Sequence, residues 1–288
     1  MAQEPAVSPS SLWRNNALQS HLAVDIVAAV TAAAAISPII TATDRSVVES
    51  VTTGRPLVRT LAKHLLCPFT QPRIFFATKP VFVVWSLYAA TYLTANASET
   101  LIEIFLDADK ALAGTLVSSA VFAVNTPLSV WKDVRFAQFF GTRVVAAQSS
   151  TATTASTSVA AARRRMPASV SAAFLVRDII TVFGSFAIAP QFSAMIPDGL
   201  AQSAQAKASA AQLIVPAMTQ IVATPVHLLG LDLYNRPGRK GVEERMNGAR
   251  RKLLSTTVMR AFRLIPAYGF GIIFNGNLRS SLRNKLTS

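Results

Sequence analysis

The sequence predicts an all-α membrane protein with six transmembrane helices in three pseudo-repeats, and three observations predict it. Of 288 residues, 51% are hydrophobic and only 15% charged, against roughly 25% charged in ordinary soluble domains. Three apolar runs end in a proline followed by a basic segment, at Pro38, Pro127 and Pro225, spaced 89 and 98 residues apart; that period suits a helix pair plus a loop. The basic residues also alternate with position along the chain. A soluble helical bundle is the competing class, and the charge map weighs against it.

The expected spans are Leu18 to Thr43, Ile74 to Ala95, Ala111 to Val130, Ser169 to Pro190, Ala208 to Gly230 and Val258 to Phe274, each near the roughly 20 residues needed to cross the hydrocarbon. The chain accordingly divides into a tail, 1–17, and three repeats at 18–96, 97–195 and 196–288, with a low-complexity polar insert at 148–162. Span one is alanine-rich from Ala28 to Ala35, which permits close helix approach in lipid. His21 and Asp25 share one of its faces, either toward a cavity or at the helix entrance near headgroups. Pro38 bends or ends that helix.

Between spans one and two, Leu57, Val58, Leu61 and Leu65 recur at helical spacing against Arg59 and Lys63, predicting a short amphipathic helix on the membrane surface. Span two carries Thr78 and Lys79 before Pro80, then Trp85, Tyr88 and Tyr92, an aromatic series of the interfacial or packing kind. Span four places Arg177 beside Asp178 inside an apolar run, and span six holds Arg263 three residues before Pro266. Ionisable groups at such depth line a cavity or pair with one another.

Eighteen of the 28 basic residues fall between spans one and two, three and four, and five and six, and Arg260 follows just inside the sixth. The opposite connections run acidic, with Glu99, Glu103, Asp107 and Asp109 against Lys110 in one and Asp198 against Lys207 in the other. The positive-inside rule puts the three basic loops on one side and both termini on the other. The net charge of +14 lies beside membrane spans without interleaved aromatics, so it signals membrane contact and no nucleic-acid partner. A lone Cys67 excludes an intrachain disulfide and a cysteine-based metal site. No phosphate-cradling glycine loop, nucleophile elbow or histidine-rich metal spacing is present, so neither an enzyme nor a cofactor is expected. No cleaved signal peptide is visible in residues 1–17. The sequon at Asn96 is read as chance.

Over Leu18 to Arg283 the chain resembles the mitochondrial carrier family, on its three repeats, its proline-ended odd helices and the segment Arg260 to Phe274, RAFRLIPAYGFGIIF. In that family each odd helix ends in Pro-x-acidic-x-x-basic. Here Pro127 is followed by Ser129 and Lys132 at those places, Pro38 by Ile40 and Thr43, and Pro225 by His227 and Gly230. The resemblance implies a matrix gate at Pro38, Pro127, Lys132 and Pro225, and substrate contacts at Thr78, Lys79, Arg177, Asp178 and Arg263. It also implies a second gate on even helices, which is worn here, since Phe274, Asn275 and Leu278 carry no charge and Arg279 stands one place beyond.

The expectation is therefore a monomeric transporter in the mitochondrial inner membrane, or else the outer or peroxisomal membrane, moving a small anionic or zwitterionic metabolite by alternating access. Cardiolipin is expected at the basic loops, and the termini in the intermembrane space. The degenerate gates favour a competing reading, a carrier-fold protein that serves as scaffold, receptor or membrane-shaping component without transporting anything. The buried charges favour transport.

Overall fold

The computed structural model describes residues 9–106, 109–140, 167–183, 188–200, 202–235 and 241–287. These residues form helices α1 (Pro9–Thr53), α2 (Leu57–Thr70), α3 (Pro72–Phe76), α4 (Lys79–Phe105), α5 (Lys110–Phe140), α6 (Ala168–Phe183), α7 (Ala189–Met195), α8 (Ala204–Asn235) and α9 (Val242–Phe262). A π-helical turn, Ile265–Phe270, then leads into α10 (Gly271–Thr287). The polar insert 148–162, Asp107, Arg143, Arg163 to Arg165 and the Arg236 to Lys240 turn lie outside the described residues.

Among the described residues, four segments are long and apolar enough to cross a membrane: Leu18–Thr53, Leu112–Phe140, Ile214–Asn235 and Glu243–Leu286. The chain is an all-α, multi-pass membrane protein. Its outward surface carries large apolar side chains such as Ile26, Phe82, Leu112, Phe122, Ile179, Val222 and Ile273, as a lipid-facing belt requires and a soluble surface of this size rarely shows. Between α8, α9 and the π turn this belt forms an apolar groove lined by Ile214, Met218, Ile221, Leu254 and Val258.

The prolines do not end their helices. α1 runs fifteen residues past Pro38, and Pro127, Pro216 and Pro225 likewise lie inside α5 and α8. A proline removes one N–H and crowds the preceding turn, so Pro38 leaves the Ala34 carbonyl without its helical donor. Hydroxyls reinforce the neighbouring turns: Ser37 donates to the Ala33 carbonyl, and Thr219 donates to that of Pro216 at 2.7 Å. α1 ends at Gly54, whose left-handed φ of 76° lets its N–H reach the Ser50 carbonyl at 3.1 Å, a geometry glycine adopts at little cost. α1 also begins at Pro9, so residues 9–17 of the expected tail are helical.

Helices pack in a closed order: α1 on α4, α4 on α5, α5 on α6, α6 on α8, α8 on α9, and α10 back on α1. Close approach rests on small residues. Ala28, Ala29, Ala32, Ala33, Ile36 and Ile40 of α1 are fully buried, one stripe at helical spacing. A Cβ on Gly230 would stand 2.8 Å from the Phe174 ring, and one on Gly271 would collide with the Tyr92 hydroxyl. That hydroxyl donates to the Ala267 carbonyl at 2.7 Å, tying α4 to the π turn.

α2 is amphipathic as expected, but its rotation differs. Leu57, Thr60 and His64 face inward, while Val58 is 76% exposed. The cause is a contact from His64 Nε2 to Glu49 Oε2 at 2.8 Å, which pins the histidine against α1 and turns Val58 out with Phe69. In the connection before α8, Lys207 donates to Asp198 at 2.7 Å and holds that carboxyl below its usual value.

Candidate functional site

Two interhelical polar layers cross the bundle, and both are anchored in α1. Asp25 and Asp44 are nineteen residues apart, about 28 Å at 1.5 Å per residue, close to the roughly 30 Å thickness of the hydrocarbon. Between them lies the alanine stripe of α1.

The first layer gathers Asp44, Lys132, Asp133, Arg177, Asp178, His227, Arg260 and Arg263 from five helical segments. Lys132 Nζ donates to Asp44 at 2.5 Å and pairs with Asp133 at 2.7 Å. Arg263 Nη1 donates to both Asp44 oxygens, at 2.8 and 3.0 Å. Arg177 donates to Asp133, to Asp178 at 2.5 Å, and to His227 Nδ1 at 3.1 Å. Because arginine only donates, His227 Nδ1 must accept, so the ring is neutral and carries its proton on Nε2. Arg177 and Lys132 are 1% exposed, and such buried charges persist only when paired or hydrogen-bonded.

Four cations meet three carboxylates in this layer, so it carries one positive charge in excess. The excess resides on Arg260. Its Nε donates to Gln220 at 3.1 Å, and among the described residues it forms no ion pair. On the basic-loop side a cavity of about 10 Å³, lined by Asp44, Asp133, His227, Arg260, Val48, Phe136 and Leu231, has room for roughly one water. Val48, Phe136 and Leu231 plug it with apolar bulk. The layer is closed.

The second layer joins α1, α4 and α10. Asp25, with its side chain wholly buried, takes Arg279 Nε at 2.6 Å and Arg283 Nη2 at 3.3 Å, and accepts from the Thr100 hydroxyl. Asn96 and Asn275 exchange amide hydrogen bonds at 3.0 and 2.8 Å. Glu99 and Glu103 hold the outer guanidinium groups of Arg279 and Arg283. Asn96 is therefore a buried structural amide.

The structure brings together Lys132, Arg177, Asp178 and Arg263 among the residues singled out in the sequence. It does not bring Thr78 and Lys79 to them. Thr78 donates to the Phe75 carbonyl at 2.7 Å, and Lys79 is exposed at the first turn of α4. Pro38, Pro127 and Pro225 lie inside α1, α5 and α8, on the approach to the first layer.

Sequence reasoning passed over Asp44, Asp133, His227, Arg260, Asp25 and Arg279 as a set. One signal could have found two of them: Asp44 stands six residues after Pro38, and Asp133 six after Pro127. A residue at +6 lies one turn beyond +2 on the same helix face. The acids are present, displaced by a turn.

Comparison with known proteins corrects the resemblance stated above. The family whose model matches the chain is described as probable citrulline exporter, over residues 28–283, and no mitochondrial carrier model matches. The absent Pro-x-acidic-x-x-basic motif and the one-turn displacement of its acids are the physical counterpart of that finding. No curated protein and no solved structure matches the chain.

Proposed function

The chain belongs to the probable citrulline exporter family, and on that premise we propose that it exports a small zwitterionic amino acid by opening its two polar layers alternately. Citrulline, named in the family's description, is the first candidate: it presents a carboxylate, an ammonium and a neutral ureido group. The observation that carries the reading is the pair of buried ion-paired layers at the two ends of one span. Either layer blocks the path while its pairs hold, and each can be broken without unfolding the apolar stripe between them.

In this reading Asp44, Lys132, Asp133, Arg177 and Arg263 close the basic-loop gate, with Asp178 supporting Arg177. Asp25, Arg279 and Arg283 close the other gate, with Asn96 and Asn275. Pro38, Pro127 and Pro225 supply the weak points about which the helix ends swing. A solute displaces the pairs by offering its own charges, which is how a ligand shifts a two-state equilibrium. The worn gates that favoured a scaffold are replaced by these layers, and the reading as transporter gains accordingly.

The helix order α1, α4, α5, α6, α8 and α9, the last continuing through the π turn into α10, supports six spans in three repeats at 18–96, 97–195 and 196–288, enclosing one path. The proposed address is a membrane whose basic-loop side is electrically negative, as the mitochondrial inner membrane is, with anionic lipid against the basic loops. Subcellular fractionation tests that address. Efflux of labelled citrulline from proteoliposomes tests the function: export above protein-free vesicles supports it, and equal efflux refutes it.

A further inference from the structure

Arg260 is the odd member of the first layer. Every other cation there has a carboxylate at 2.8 Å or closer, whereas Arg260, 5% exposed, rests on the neutral Gln220 carbonyl. An uncompensated guanidinium in a membrane interior is costly and marks function by default. Opposite it, Gln220, Thr224 and His227 occupy one face of α8, at i, i+4 and i+7. All three are buried, and the Thr224 hydroxyl, fully enclosed, has no hydrogen-bond partner among the described residues. Arg260 also lines the small cavity that Asp44 and Asp133 share.

We propose that Arg260, with the Thr224 hydroxyl and Gln220 amide, is the recognition site for the α-carboxylate of the exported amino acid. The inference rests on the exporter reading and adds the site and the group it selects. The incoming carboxylate supplies the negative charge that the layer lacks, with Arg260 as its cationic partner and the Thr224 hydroxyl, one turn along α8 from Gln220, as a further donor. Asp44 and Asp133, released as the layer parts, face the ammonium from the other wall of the cavity. The site therefore demands both charges of a zwitterion. A cationic amide or an amine lacking the carboxylate leaves Arg260 buried and unpaired, and is rejected.

The test compares citrulline with citrullinamide, which lacks the carboxylate charge, in proteoliposomes carrying the wild type, Arg260→Gln or Arg260→Lys. The wild type should prefer citrulline by about 100-fold or more, since a site built to pair a charged group strongly rejects the analogue without it. Arg260→Gln should cut the preference below about 10-fold, and Arg260→Lys should restore part of it. Undiminished preference in Arg260→Gln overturns the proposal, while wild-type vesicles that move no citrulline overturn the exporter reading instead. A second readout needs no ligand. Thermal unfolding of the empty protein should show Arg260→Met as stable as the wild type or more so, because it removes an uncompensated charge, and Arg177→Met strongly destabilised. Equal losses in both would place Arg260 in a structural pair and overturn the proposal.

Discussion

Neutralising Asp44 is the most severe single change to the first layer that keeps its shape. Asp44→Asn preserves the side-chain outline but loses the charge that holds Lys132 at 2.5 Å and Arg263 at 2.8 and 3.0 Å. Lys132 retains Asp133 at 2.7 Å. Arg263 retains no carboxylate among the described residues, and breaking a buried pair from one side costs about 3–5 kcal/mol. On the closed state that is a shift of roughly two to four orders of magnitude in the closed-to-open ratio. The partner substitution separates charge from shape: Arg263→Met in the Asp44→Asn background removes the orphaned cation and should recover most of the loss. Thermal unfolding in detergent, read as a double-mutant cycle, measures the coupling. Asp44→Asn indistinguishable from wild type, or a double variant no better than Asp44→Asn, would refute the pairing and its assigned strength.

The second layer predicts a milder response, because Arg279 keeps Glu99 and Arg283 keeps Glu103 when Asp25 is neutralised; Asp25→Asn should cost about 1.5–3 kcal/mol in the same unfolding assay. Gly271→Ala drives a methyl into the Tyr92 hydroxyl and should cost about 1–3 kcal/mol. Adding Tyr92→Phe should relieve the clash, so that the double variant unfolds later than the sum of the singles predicts. His64→Ala removes the contact that holds α2 to Glu49 and should weaken that attachment by about 0.5–1.5 kcal/mol. The check is limited proteolysis at the Gly54 to Pro56 junction, with faster cleavage expected in the variant.

The sequence made the helices and their membrane character legible because both follow from local composition. The alanine stripe of α1, the basic loops and the amphipathic α2 each announce themselves within one or two turns. Helix ends were harder to read. Pro38 looks like a terminator locally, yet α1 continues to Thr53 because α4 and α10 pack along the helix. The site divides in the same way. Arg177, Asp178, Lys132 and Arg263 stand out as charges in or beside apolar runs, whereas Asp44 just follows the first expected span and Arg260 opens the sixth, so both read as residues of a span's end. Only tertiary packing brings Asp44 to Lys132, 88 positions away, and to Arg263, 219 positions away. The family was misjudged for a related reason: three proline-marked repeats suggested carriers, while the acids stood a turn from where that motif puts them.

The central claim, that the two layers open alternately, is tested most directly by cysteine accessibility at both ends of the same path. With Cys67 replaced by serine, a cysteine at Val48 reports the cavity beyond the first layer, and one at Thr100 reports the second layer. Impermeant thiol reagents are applied from each side of reconstituted vesicles. Asp44→Asn should raise labelling at position 48 from the basic-loop side and lower labelling at position 100 from the opposite side. Asp25→Asn, read at positions 48 and 100 alike, should do the reverse. Labelling that rises at both ends together, or at neither, would contradict alternating access.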